Sequence, residues 1–133
     1  WDIKETFVKT EELLICLWMN LLSVSVLCWT FAWFSGLDLD ASSIMEIKNN
    51  ENYFEAFLRS VGCGAMMFIA VNGYNKTKNV LMVIMPVMVF ILCGFDHCIA
   101  NFGYMAMENQ FFSWRLPVWI VGNTVGSMMI SKI

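Results

Sequence analysis

A histidine and an aspartate stand side by side inside a segment that is otherwise apolar enough for a lipid bilayer. His97 is the only histidine of the chain, Asp96 precedes it directly, and Asn101 follows four residues later. An ionisable side chain at membrane depth is costly, so it marks a candidate functional site. Histidine, with an unperturbed pKa of about 6.5, can relay a proton to the anion of a weak acid.

The residues around His97 predict a break between two half-helices. Gly94 precedes the histidine and Gly103 follows it, and glycine permits backbone turns that other residues resist. Unwound backbone survives inside a membrane only where protein or a water-filled cavity satisfies its polar groups. Helix ends near the midplane are suited to binding ions, because the positive N-terminal end of a helix attracts anions.

Other interpretations of His97 stay open from the residues alone. Its type and position also fit an interior histidine that hydrogen-bonds a neighbouring helix. A small membrane enzyme using His97 with Asp96 lacks a second convincing acid–base or metal group. A metal site made of Cys93, Asp96, His97 and Cys98 has no recognised ligand spacing, so we expect no metal and no other cofactor.

The composition indicates a lipid-facing protein. Of the 133 residues, 59% are hydrophobic and 14% are charged, against about 45–50% apolar and roughly 25% charged in soluble domains. The net charge of −3 and the scattered basic residues disfavour nucleic-acid binding. The five cysteines lie within apolar runs and form no CxxC pair, so we interpret them as buried packing residues.

Four segments are candidate membrane spans, since one crossing needs about 20 apolar residues. They cover residues 13–34, 53–71, 80–107 and 112–130, and together they predict one all-α transmembrane domain over residues 1–133. The third span is the one broken at His97. In the second, Glu55 and Arg59 are spaced to pair on one helix face. Its Gly62 and Gly64 allow close helix packing.

The charges in the connections predict the orientation of the chain. Lysines occur before the first span, between the second and third spans, and after the last one, at Lys4, Lys9, Lys76, Lys78 and Lys132. The connection over residues 36–52 is mainly acidic, with Asp38, Asp40, Glu46 and Glu51 against Lys48. Four alternating spans bring all the lysine-rich parts to one side, and the positive-inside rule makes that side cytoplasmic. Both chain ends are therefore expected in the cytoplasm of a cell-membrane protein.

The segment from Phe90 to Asn101, "FILCGFDHCIAN", closely resembles the formate/nitrite transporter family. The fifth helix of that family carries a G-F-[ED]-H-x-[IV]-A-N motif around a central pore histidine. "KNNENYFEA" is similar to the family's fourth-helix start, where a lysine stands seven residues before a Glu-Ala pair. "LWMNLLSVSV" matches the third helix at Asn20. "LPVWIVGNTVG" is similar to the sixth, with one residue inserted between its Pro-Val and Gly-Asn pairs.

The resemblance implies a fold and an activity. The family has an aquaporin-like fold of inverted repeats, and this chain is similar to its helices three to six, without the first two. Family members form homopentamers with one pore in each protomer. They pass small monovalent weak-acid anions such as formate, nitrite, hydrosulfide, lactate or acetate. The same resemblance implies an anion channel in the membrane, not an enzyme.

The resemblance also assigns roles to five residues. His97 is the implied central pore histidine, with Asn101 and Asn123 as polar partners at the midplane. Phe90 is the implied member of an apolar constriction. Lys48 is the implied outer positive charge that attracts anions. From the residues alone, Phe90 is an ordinary lipid- or core-facing aromatic and Lys48 a solvated loop lysine.

One alternative function remains. The chain starts at Trp1 and lacks the family's first two helices, which suggests a piece of something longer. Gly64 also stands where the family usually has an asparagine in its fourth helix. These departures favour a non-conducting fragment, or a scaffold subunit that packs with a partner, over a pore complete in itself.

Overall fold

Helices account for most of the described chain, which comprises residues 3–35, 41–110 and 112–131 of a computed structural model. They are α1 (Ile3–Ser35), α2 (Ala41–Asn50), α3 (Tyr53–Thr77), α4 (Leu81–Leu92), α5 (Cys98–Met107) and α6 (Arg115–Ser131). The described part is all-α, as predicted. Some of the charges used to predict orientation lie outside the described residues: Asp38, Asp40, Lys132 and the side chains of Lys4 and Lys9.

Two of the described helices are long and apolar enough to cross a bilayer on their own. These are the Thr10–Ser35 part of α1 and the whole of α3, Tyr53–Thr77. The apolar helices α4 and α5 are shorter, and α6 has 17 residues. The helices therefore support a membrane protein, whereas the count of four crossings remains a prediction.

The predicted interruption is present between α4 and α5. Helix α4 ends at Leu92, α5 begins at Cys98, and the backbone between them is not helical. Gly94 has a φ of +65°, and nothing lies within 4 Å of a Cβ placed on it. The glycine is therefore needed for its left-handed backbone conformation and not for space.

Helix α2 is an element that the sequence did not predict. From the sequence, residues 41–50 are expected to be part of the mainly acidic connection 36–52. In the structure they form a helix that buries Ala41 and Met45 and packs against α5. Lys48 lies in its last turn, so the helix fixes the direction of that side chain.

Small residues let α3 and α6 approach each other closely. A Cβ on Gly64 would lie 2.0 Å from the Asn123 carbonyl oxygen, and one on Gly126 would lie 2.0 Å from that of Val61. No larger residue fits at these places without separating the helices. The crossing also explains the departure at position 64, because the α6 backbone occupies the space that an asparagine side chain would need. Gly62, by contrast, faces the ring of Phe95.

Helix α1 packs mainly along α5. Val24 and Cys28 lie against Gly103, where an added Cβ would come within 3.2 Å of both side chains. Much of the remaining surface of α1 is apolar and exposed, including Leu13, Trp18 and Leu27. The expectation that the cysteines are buried holds for Cys63 and Cys98. It is wrong for Cys16 and Cys93, which are exposed.

Candidate functional site at the broken helix

A cavity of about 340 Å³ lies beside the interruption between α4 and α5. It is lined by Ile44, Lys48, Phe90, Ile91, Gly94, Phe95, His97, Ala100, Asn101 and Tyr104. Four of the five candidate residues from the sequence therefore share one cavity. The fifth, Asn123, lines a different groove between α1 and α6. Its side chain forms hydrogen bonds with the backbone of the same break.

His97 is the N-cap residue of α5. Its Nδ1 atom accepts a hydrogen bond from the Ala100 backbone N–H at 3.1 Å. A neutral imidazole with an accepting Nδ1 carries its hydrogen on Nε2. The cap bond thus determines which nitrogen is the donor and fixes the orientation of the ring at the cavity.

Phe90 stacks on His97. The two ring centroids are 5.8 Å apart with an interplanar angle of 21°. Helix α4 ends two residues after Phe90, so the aromatic ring sits where the first half-helix meets the break. Phe90 therefore forms an apolar wall directly over the imidazole, a contact that its sequence position alone did not indicate.

Asp96 is fully buried and joins three elements. Its Oδ1 atom contacts the Lys48 ammonium from α2 and accepts a hydrogen bond from Asn101 Nδ2 at 2.9 Å. A buried carboxylate needs such partners, because an unpaired charge is costly away from water. Lys48 lines the cavity as a paired cation, whereas the resemblance implied an attracting charge on the outer side.

Asn123 supplies partners for the backbone that the break leaves unpaired. Its Oδ1 accepts from the Cys98 N–H at 3.0 Å, and its Nδ2 donates to the Asp96 carbonyl at 2.7 Å and to the Ser60 carbonyl at 2.9 Å. One amide side chain of α6 therefore ties the start of α5 to α3. This contact gives Asn123 a structural role at the break that spacing alone did not reveal.

The expected pairing of Arg59 with Glu55 is wrong. Arg59 Nη1 donates instead to Glu51 Oε1 at 2.7 Å. Glu51 has only 7% of its side chain exposed, whereas Glu55 is exposed. The buried carboxylate gains more from a cation than the solvated one does, since water already stabilises Glu55.

Arg115 is a residue that the sequence did not single out. It is buried at the start of α6, and its Nη2 donates to the carbonyl of Asn49 at 2.7 Å and to that of Glu51. Its guanidinium also lies 4.7 Å from the centre of the Tyr53 ring. Arg115 therefore holds the connection between α2 and α3 in place, next to the last turn of α2 that contains Lys48. In the sequence, Arg115 is marked only by being a single arginine at the start of an apolar segment.

No group of three or more histidine, cysteine, aspartate or glutamate side chains suited to a metal ion occurs within residues 3–35, 41–110 and 112–131. The polar groups at the break instead contact one another and the backbone. The arrangement presents a hydrogen-bond donor, an aromatic wall and a paired cation to one cavity.

Comparisons with known proteins agree with the motif around His97. The sequence model of a family described as "Formate/nitrite transporter" matches residues 8–133. The formate channel FocA of Haemophilus influenzae is 32% identical over 81 residues. That alignment covers 52% of this chain and 28% of the channel, so the chain spans much less than the relative's length. No solved structure gives a significant match.

Proposed function

The chain belongs to the formate/nitrite transporter family, which is a family of transporters and not of enzymes, and we propose that it passes small monovalent weak-acid anions across a membrane. The observation that carries this proposal is the cavity at the broken helix, where Lys48, Phe90, His97 and Asn101 meet. Formate, nitrite and hydrosulfide are the substrates to test first. The name of the relative, a formate channel, supports this choice.

The proposed mechanism follows from the cost of moving a bare anion through an apolar passage. Removing water from an ion carries a large free-energy penalty. An anion beside His97 receives a hydrogen bond from Nε2–H, and the adjacent N-terminus of α5 adds a positive partial charge. A proton taken up from the aqueous solution turns the anion there into a neutral acid, which crosses the apolar wall formed by Phe90 at a lower cost. Flux is therefore expected to rise as the pH falls.

The first experiment measures anion uptake into proteoliposomes that contain this chain, at two pH values, with His97→Asn as the variant. Asparagine is a good N-cap residue, so the variant keeps the start of α5 while it removes the Nε2 donor. Uptake is expected to fall at least tenfold. The control is Cys93→Ala, an exposed substitution in the same break that leaves the cavity lining unchanged.

Uptake that is independent of pH and of His97 contradicts this mechanism. Absence of uptake from both the native chain and the variant favours a second candidate, a non-conducting subunit that requires a partner. The apolar side chains exposed along α1 are the observation that favours this candidate. Assembly into pentamers, which the family resemblance implies, is part of the proposal and is measured by the mass of the purified complex.

A further inference from the structure

Two buried carboxyl groups meet next to the cavity, and each has one oxygen without a donor. Glu51 Oε2 and Asp96 Oδ2 are both buried and have no hydrogen-bond partner among the described residues. Their other oxygens are occupied, Glu51 Oε1 by Arg59 and Asp96 Oδ1 by Lys48 and Asn101. Lys48, three residues before Glu51, contacts Asp96, and the Asp96 carboxylate is the charge that acts most strongly on Glu51, so the two side chains are neighbours. A hydrogen bond between two carboxyl groups requires a proton on one of them.

We propose that Glu51 and Asp96 share one proton between Oε2 and Oδ2, and that this pair is a second proton-binding site beside His97. A shared proton satisfies both oxygens at once, whereas two ionised carboxylates in contact repel each other. Two buried acceptors left without a donor would each carry a desolvation cost. One proton removes both costs.

The charges around the pair come from every element packed against it. The charged groups are Lys48 of α2, Arg59 of α3 and Arg115 at the start of α6, and the uncharged titratable groups are Cys63 of α3 and His97 at the break. Lys48 and Arg59 favour ionisation of Glu51, but burial and then the Asp96 carboxylate act more strongly and raise the pKa of Glu51. Arg59 lowers the pKa of Glu51 less than Lys48 does, since 43% of the Arg59 side chain is exposed to solvent.

The proton has a consequence for the cavity, and this consequence rests on the proposed function. With the proton bound, Lys48 faces a carboxyl pair that carries one negative charge. Without it, the pair carries two, and the net charge of the cluster falls by one. Because Lys48 lines the cavity, the protonated cluster attracts anions more strongly. Low pH thus favours anion entry through Glu51 and Asp96 as well as through His97.

The test of the proton site is infrared difference spectroscopy of the full chain in detergent during a pH titration. The C=O stretch of a protonated carboxyl group is expected to persist at a pH above the ordinary pKa of glutamate. Glu51→Gln is expected to abolish this band, because the amide donates to Asp96 Oδ2 without titrating. Glu55→Gln, which changes an exposed glutamate in the first turn of α3, is expected to retain it. Circular dichroism establishes that both variants keep the helical content of the native chain.

Absence of the band at that pH, or a band that survives both Glu51→Gln and Asp96→Asn, overturns the shared proton. Uptake into proteoliposomes tests the consequence separately. Glu51→Gln is expected to conduct with a weaker dependence on pH than the native chain, and a profile identical to the native one overturns the effect on anion entry. A chain that shows the band but conducts no anion refutes the proposed function and leaves the proton site standing.

Discussion

At the scale of the single residue, His97 and Asn123 stabilise the break by bonding to backbone groups. His97 uses one ring nitrogen to cap α5 and keeps the other for the cavity. Asn123 uses its whole amide on backbone groups of three segments. Unwound backbone in an apolar environment needs such partners, since no water is present to replace them. His97 and Asn123 therefore stabilise the non-helical backbone between α4 and α5.

Replacement of Asn123 with alanine tests this role. The substitution leaves the Cys98 N–H and the carbonyls of Ser60 and Asp96 without their present partner. Each buried unpaired group costs about 1–3 kcal/mol, so a total loss on the order of 3 kcal/mol is expected. The measurement is unfolding of the detergent-solubilised chain. Asn20→Ala, which removes one exposed hydrogen bond to Cys16 Sγ within α1, is the control and is expected to change the stability little.

The sequence could predict the features of the site that depend on neighbouring residues. Gly94 beside Asp96 and His97 is a local pattern, and it predicted the break that the structure contains. The contact between Lys48 and Asp96 joins residues 48 positions apart, and spacing along a helix carries no information about such a pair. The resemblance brought Lys48 and Phe90 to attention, but only the folded chain shows that one pairs with Asp96 and the other stacks on His97.

At the scale of the elements, the crossing of α3 and α6 supports the site from behind. Asn123 reaches Ser60 and the break only because the two helices approach each other through Gly64, Gly122 and Gly126. The small residues of α3 gave a correct prediction of close packing, but they did not identify the partner helix. Helix α2 was missed because its polar sequence contains few apolar positions, and its burial of Met45 depends on α5.

Gly126→Ala is expected to weaken this crossing. An added Cβ would lie 2.0 Å from the Val61 carbonyl oxygen, so the helices must separate, at a cost of about 1–3 kcal/mol typical of overpacking. Val121→Ile adds a methyl group to the exposed face of the same helix and serves as the matched control. Thermal unfolding of both variants measures the difference, and equal stability of the two contradicts the close packing of α3 and α6.

At the scale of the whole molecule, the helix ends form two groups, one at each end of α3. Trp29, near the end of α1, donates to Asn109 beyond α5 at 3.2 Å, and Arg115 ties the start of α6 to the joint between α2 and α3. The turn between α3 and α4, with Lys76 and Lys78, lies at the other end of α3. Charges follow the same division in part, because Lys76 and Lys78 lie at one end of α3, whereas Glu46 and Glu51 lie near the other together with Lys48 and Arg115. This division is what the predicted alternation of four spans requires.

Labelling with a membrane-impermeant thiol reagent tests the predicted orientation. Glu46→Cys and Gln110→Cys, exposed residues that line one groove, are expected to react in intact cells. Asn75→Cys, exposed near the end of α3, is expected to react only after the membrane is opened, and it leaves both nearby lysines in place. The unsubstituted chain is the necessary control, because Cys16 and Cys93 are already exposed.

The three labelling sites separate the possible topologies from one another. Reaction of Asn75→Cys alone in intact cells means that the chain has the opposite orientation and that the lysines do not determine it. Equal reaction at positions 46 and 75 means that α3 does not cross, although its 25 residues span about 37 Å at 1.5 Å per residue. Different reaction at positions 46 and 110 means that the two half-helices α4 and α5 do not complete a crossing. Because Lys48 and His97 face one cavity, that last result would also change the side from which an anion reaches His97 in the proposed function.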